Sequence, residues 1–278
     1  MRSVSLLALF FLFATCKKDP ALFEINNLNG NDITILGHRG MGELYKFPGN
    51  TYEAIEPLIR IGGEGSEVDV QMTKDSVLVL YHDSYLDSDT DCGGIIHNHL
   101  WSEIGGCTYS RISKHIYMIT ADNLFSRIPD LQNYRFSFDC KVGYFNGNQQ
   151  EYYDQFARAI KRLITKHGME NRIFIEGTKT FLQTMQDQQV PARLFITGLG
   201  SIAGGIPVAE EMNLYGLATG NPSATKEDID LAHAKGFRVM LWAAKTQNGS
   251  LKAVEKSPDY IQADKPIYLL KLLGKYKK

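Results

Sequence analysis

The segment Glu67-Val68-Asp69-Val70 sets two carboxylates two positions apart in a β-branched run. Side chains on an extended strand alternate, so Glu67 and Asp69 face the same side. Paired carboxylates repel unless something neutralises them, and a hard divalent cation with oxygen ligands does so well. Phe138-Asp139-Cys140-Lys141 repeats the arrangement, with Asp139 and Lys141 on one face and Cys140 turned into packing. In Gly37-His38-Arg39-Gly40 a His-Arg pair sits between glycines that permit a tight turn. His82-Asp83 closes another short apolar run. Imidazoles move protons near neutral pH, and Arg, Lys and a metal together neutralise an oxyanion as its charge grows. Taken singly, each group has an ordinary structural role, as a hydrogen-bonded His or a solvated strand edge. It is the conjunction at the ends of strand-like runs that points to a metal, an anion clamp and an acid/base pair.

These groups need a scaffold that brings strand ends together. Strand-like runs occur at 33–38, 67–72, 135–141, 172–176, 193–197, 215–219, 238–243 and 260–264. Helical patterns fall at 51–61, 150–167, 180–188, 206–212, 226–234, 250–256 and 267–273. Strands alternating with helices imply a parallel sheet, and eight of them imply a (β/α)8 TIM-type barrel, with functional groups at the C-terminal strand ends. A doubly wound sheet is the alternative, but Gly37-His38-Arg39-Gly40 is not the glycine-rich nucleotide fingerprint. Thr225 suits the N-cap of the helix at 226, and Gly236 its end. The extra run 77–83 reads as the return arm of a hairpin turning at Asp75-Ser76, which carries His82 back beside Asp69. Residues 84–120, rich in Gly, Asp and His, read as an insertion over the barrel mouth. Within it Cys92 and Cys107 either pair or remain thiols.

With 278 residues and 44% hydrophobic content, the chain has ample material for one large α/β domain. Thirty Lys+Arg against 31 Asp+Glu leave no basic field for nucleic acid. Four cysteines are too few for a disulfide-built scaffold. At the N-terminus Arg2 precedes an apolar run ending at Thr15, too short to span roughly 30 Å of hydrocarbon as a helix. The run fits an export signal. Cys16, followed by polar residues, resembles the lipidated cysteine of a bacterial lipoprotein. The expected organisation is a signal peptide over 1–15, a lipidated tether over 16–31 and one domain over 32–278. The chain would be exported and held at a membrane, facing periplasm or cell surface.

The ordered set His38-Arg39-Gly40, Phe47-Pro48-Gly49-Asn50-Thr51, Glu67-Val68-Asp69 and His82-Asp83 resembles the glycerophosphodiester phosphodiesterase family. The likeness continues through Asp139-Cys140-Lys141 and ends at Ile261-Gln262-Ala263-Asp264-Lys265-Pro266. It implies a (β/α)8 barrel with an insertion after His82-Asp83, cleaving glycerophosphodiesters to glycerol 3-phosphate and an alcohol with one Mg2+ or Ca2+ bound. By the same likeness His38 and His82 are the acid/base pair. Glu67, Asp69 and Asp139 hold the metal, Asp139 being one methylene shorter than the usual Glu. Arg39 and Lys141 contact the phosphate, Asn50 supports the site, and Trp242 lines the pocket. The chain departs from the family at Gly49, Ser88, Glu176-Gly177 and Ala243-Ala244-Lys245, which touches substrate choice rather than the primary groups. The alternatives are the same chemistry on another lipid headgroup, or a non-catalytic binding lipoprotein on the same barrel.

Overall fold

The computed structural model describes residues 23–112 and 114–278. The expected signal segment and Cys16 lie outside the described residues. Eight parallel strands close a barrel: β1 (Thr34–His38), β2 (Gly65–Met72), β5 (Arg135–Cys140), β6 (Ile173–Gly177), β7 (Arg193–Ile196), β8 (Gly216–Gly220), β9 (Arg238–Trp242) and β10 (Tyr260–Ala263). β10 returns to β1 with Thr34 beside Tyr260 and Gly37 beside Ala263. The helices α1 (Tyr52–Arg60), α3 (Ala121–Arg127), α4 (Gln149–His167), α5 (Lys179–Asp187), α6 (Ile202–Glu211), α7 (Lys226–Ala234), α8 (Gln247–Glu255) and α9 (Pro266–Leu272) follow the strands. They bury the main core between themselves and the sheet, including Ile35, Val68, Phe136, Phe156, Phe181 and Ile261.

Inside the barrel Leu36, Phe174, Phe195, Ala218, Met240 and Tyr260 form a separate apolar plug. That plug fixes the parity of each strand. His38, Glu176, Trp242 and Gln262, each two residues beyond a plug member, share its inward face on the C-terminal side.

β2 changes partner along its length. Gly37 and His38 of β1 lie beside Ser66 and Glu67, whereas Val70, Gln71 and Met72 pair antiparallel with β3 (Leu78–Leu80). The hairpin turns where the sequence places it, with Ser76 in the left-handed region at φ 62. The insertion then adds the short helix α2 (Trp101–Ile104) and returns through β4 (Ile119–Thr120), which pairs with β3. Tyr81, Leu86, Ile96, Ile104, Tyr109 and Met118 give it a small core of its own. Cys92 and Cys107 are disulfide-bonded, with Cα atoms 5.7 Å apart.

Some boundaries differ from expectation. α6 begins at Ile202, not 206, because the Ser201 hydroxyl caps Gly204 N–H and overrides the poor helix propensity of Gly204-Gly205. α3 went unseen in a weakly periodic stretch, although Thr120 caps it by accepting from Asn123 N–H. Packing also begins before residue 32. Asn27 is buried and donates to Pro258 O at 2.8 Å, and Leu28 N–H donates to Asp259 Oδ1 at 2.8 Å. Thr225 caps α7 as expected, in a reciprocal capping box with Asp228. Among the described residues no helix is long and apolar enough to cross a membrane.

Candidate active site

Glu67, Asp69 and Asp139 each offer a carboxylate oxygen within 4.8 Å of the others. Register produces this cluster. Glu67 and Asp69 share the inward face of β2, and Asp69 lies beside Asp139 of β5. Glu67 and Asp69 are buried, whereas the Asp139 side chain is 47% exposed, so the cluster opens toward the mouth on the β5 side.

Two cations flank it. Arg39 Nε lies 2.9 Å from Asp69 Oδ2, and Lys141 Nζ lies 3.0 Å from Asp69 Oδ1 and 2.7 Å from Asp139 Oδ2. The contacts to Asp69 are charge contacts off the hydrogen-bond directions, and Asp69 Oδ1, although buried, accepts no hydrogen bond. Asn50 grips the same residue from the backbone side: its amide donates to Asp69 Oδ2 at 2.7 Å, and its carbonyl accepts from Asp69 N–H at 3.0 Å. Arg39 and Asn50 both adopt left-handed backbone, at φ 54 and 63, and Asn50 N–H donates to Arg39 O. Gly49 makes this approach possible, since a Cβ there would come within 2.7 Å of Arg39 Cβ.

The electrostatics follow from this packing. Burial, then the charges of Asp69 and Asp139, push the Glu67 carboxyl well above the usual range, with Arg39 opposing. Burial would also raise Asp69, but Lys141, Arg39, His82 and the Asn50 amide outweigh it and hold Asp69 low. Burial works against the Lys141 ammonium, yet Asp69 and Asp139 keep its pKa above the ordinary lysine value. Three oxygen donors at this spacing, one with an orphaned buried oxygen and one whose ionised form is disfavoured by burial and like charge, fit a hard divalent cation held by Glu67, Asp69 and Asp139.

Each histidine is held at Nδ1 by a carboxylate. His38 Nδ1 lies 2.7 Å from Asp264 Oδ1, and His82 Nδ1 lies 2.6 Å from Asp83 Oδ1. A proton on Nδ1 directed at a carboxylate leaves Nε2 as the working nitrogen. His38 Nε2 stands 3.9 Å from Glu67 Oε2. His82 reaches the cluster because Tyr81 N–H pairs with Asp69 O, and its side chain is 38% exposed. Trp242 stands apart, on the rim at the end of β9, 40% exposed and outside this hydrogen-bond network. A cavity of about 450 Å3 lies alongside, lined by Arg39, Asn50 and His82 from the barrel side and Asp89, Tyr109 and Arg111 from the insertion.

Two site residues escaped sequence reasoning as functional groups, and a third was read there only as touching substrate choice. Asp264 and Asp83 orient the histidines, and closing β10 on β1 places Asp264 level with His38, a signal the strand order carries. The third, Glu176, lies beside Asp139 beneath the cluster. There burial first, then Asp139, push it up to about 7, against hydrogen bonds from Ser137 and Gln262 and the charge of Lys141.

A parallel eight-stranded barrel with acids, bases and cations gathered at one end of its strands defines a TIM-barrel hydrolase type of site. Residues 38–267 match the Glycerophosphoryl diester phosphodiesterase family, and the chain belongs to that family. A glycerophosphodiester phosphodiesterase of Caldanaerobacter subterraneus subsp. tengcongensis is 23% identical over 248 residues, 87% of this chain and 98% of that one. Among solved structures, a putative glycerophosphodiester phosphodiesterase from Galdieria sulphuraria superposes with a TM-score of 0.74 at 18% identity, covering 87% of this chain and 98% of its own. An Oleispira antarctica phosphodiesterase, solved with the product sn-glycerol-3-phosphate, gives 0.73 at 16% identity, covering 87% and 96%.

Proposed function

We propose that this chain hydrolyses glycerophosphodiesters to glycerol 3-phosphate and an alcohol, with one divalent cation, Mg2+ or Ca2+, held by Glu67, Asp69 and Asp139. The observation that carries the reading is the carboxylate cluster flanked by two cations and by two histidines, each anchored at Nδ1. A phosphodiester resists attack because its anionic oxygens repel nucleophiles. A cation bound here supplies Lewis-acid neutralisation of that charge. Arg39 and Lys141, which now lean on Asp69, bind the phosphoryl oxygens and stabilise the charge that builds in the transition state. One histidine takes a proton at Nε2 from the attacking oxygen, and the other delivers a proton from Nε2 to the leaving alkoxide. Asp264 and Asp83 hold the two rings in the tautomer this requires. Asn50 fixes Asp69, and the insertion contacts the alcohol half of the substrate.

The family membership and the relatives' names support this reading. We further propose that the mature protein is a lipoprotein anchored through Cys16 and acting outside the cytoplasm, with a small phosphodiester as its partner and no nucleic acid. The test of activity is release of glycerol 3-phosphate from a panel of glycerophosphodiesters by enzyme stripped with chelator and then given Mg2+ or Ca2+. Turnover that survives the chelator excludes the metal reading, and no turnover on any member of the panel excludes the substrate class. For the anchor, Cys16→Ser should move the protein out of the membrane fraction.

A further inference from the structure

The opposite end of the barrel carries a second, separate concentration of charge. Arg135, Arg172, Arg193 and Arg238 stand at the N-terminal ends of β5, β6, β7 and β9. Each lies two residues before an inward-facing residue: Ser137, Phe174, Phe195 and Met240. All four therefore point toward the barrel axis from below. Phe136 and Ile173 are register partners, so Arg135 and Arg172 lie side by side. The four line one cavity of about 620 Å3 whose floor is Phe174 and Tyr260. From Arg135 to Asp139 is four strand residues, roughly 13 Å, so the cavity is distinct from the carboxylate cluster.

Four guanidiniums facing one space repel, and the chain does not neutralise them. Among the described residues none of the four forms an ion pair with a carboxylate. Asp32 and Glu64 on the cavity wall are both taken by Lys275, at 2.7 and 2.8 Å. Glu170, at the exposed rim, is the remaining acid. The guanidiniums are nonetheless held in place. Those of Arg193 and Arg238 pack on the Tyr215 ring, 4.2 and 4.6 Å from its centroid. Arg193 Nε donates to Asn171 O, and Arg238 donates to Asn29 Oδ1 and Leu28 O. Arg135 and Arg172 make no side-chain hydrogen bond among the described residues, and the neutral acceptors of the other two leave N–H groups free. Converging, half-buried forks with spare donors match an oxyanion that accepts several hydrogen bonds at once and carries more than one charge.

We infer that the N-terminal face of the barrel is a binding site for a phosphate-type oxyanion, free or borne on a headgroup, held by Arg135, Arg172, Arg193 and Arg238. The volume exceeds that of orthophosphate, so the anion can arrive on a larger molecule. Leu28 and Asn29, packed ahead of β1, form part of the wall.

The probe is inorganic phosphate, titrated calorimetrically into the full chain with chelator present. Two sites are expected, because the catalytic mouth also carries Arg39 and Lys141. Arg39→Gln should remove one, and the pair Arg135→Gln/Arg172→Gln the other, weakening it at least ten-fold. The latter variant should keep the parent's turnover of glycerophosphodiesters, which also establishes that it is folded. A single parent site abolished by Arg39→Gln, or two sites unaltered in the Arg135/Arg172 variant, overturns the inference. Sedimentation of the Cys16→Ser chain with phosphatidic acid and with phosphatidylcholine vesicles then identifies the source. Retention on the anionic vesicles that is lost in the Arg135/Arg172 variant assigns a lipid headgroup. Phosphate binding without retention assigns a free oxyanion.

Discussion

Glu176 is buried inside the barrel, where its carboxyl accepts from the Ser137 hydroxyl at 2.7 Å and from the Gln262 amide. Its pKa of about 7 in the fold, against an ordinary value of 4.5, means that folding favours the protonated form. That preference is equivalent to about 3 kcal/mol. Below the ordinary glutamate pKa both states hold the proton and this group contributes no pH dependence. Between that value and about 7 the unfolded chain releases its proton while the folded one keeps it, so stability falls as pH rises. Glu176→Gln retains an acceptor for Ser137 and Gln262 but cannot ionise. In chelator, the variant should therefore gain on the parent by about 3 kcal/mol between pH 4 and pH 8, or several degrees in Tm for a domain of this size. Urea melts at intervals across that range read the difference directly, and shared contributions cancel between the two proteins. A gap that stays flat with pH would show that Glu176 is not held neutral by burial, and the argument would fail.

Glu67→Gln should remove repulsion from the metal-free cluster, raising Tm at pH 7 in chelator, while weakening divalent-cation binding at least ten-fold by calorimetry. Because burial and like charge raise the Glu67 pKa in the metal-free cluster, parent metal affinity should increase as pH rises, and the variant should lose that part of the slope. Asp264→Asn should lower kcat by about 10²-fold or more with KM little changed, since it frees the His38 ring without touching the phosphate clamp; steady-state kinetics separate the two. Cys92→Ser should cost about 3 kcal/mol, the chain-entropy value for a loop closed across 15 residues. Hydrogen exchange should then accelerate at Leu86, Ile104 and Tyr109 but not at Phe136 or Ile261, since the two sets belong to different cores.

The barrel was largely legible in the sequence because each strand is a short apolar run and each crossover helix a longer periodic one. Two helix boundaries did not read out. In α6 a Gly-Gly pair hides the first turn, which one serine hydroxyl caps, and in α3 seven residues are too few for periodicity to register. Cap chemistry at Ser201 and Thr120 was the available signal. At the site, Glu67, Asp69 and Asp139 could be placed together because a two-residue period and parallel register are local rules. Asp264 and Glu176 depend on which strands become neighbours on closure, and that is decided by packing across the whole chain. The Arg135 to Arg238 ring was invisible for the same reason: four isolated arginines acquire meaning only when the sheet curls shut.

The partner change along β2 leaves a seam. On the edge away from β5 the strand has left β1 above Glu67, and its ladder with β3 begins only at Val70, so the backbone N–H of Asp69 would face an open slit. Asn50 fills it, its amide standing in for a missing strand residue with both an acceptor for the main chain and a donor for the carboxylate. Few side chains can do this job. Aspartate would set a second negative charge against Asp69, serine is too short to reach both atoms, and most residues resist the left-handed backbone that position 50 requires. The slit is also where Arg39 enters, so this gap beside β2 is the doorway through which the first loop brings its cation to the carboxylates.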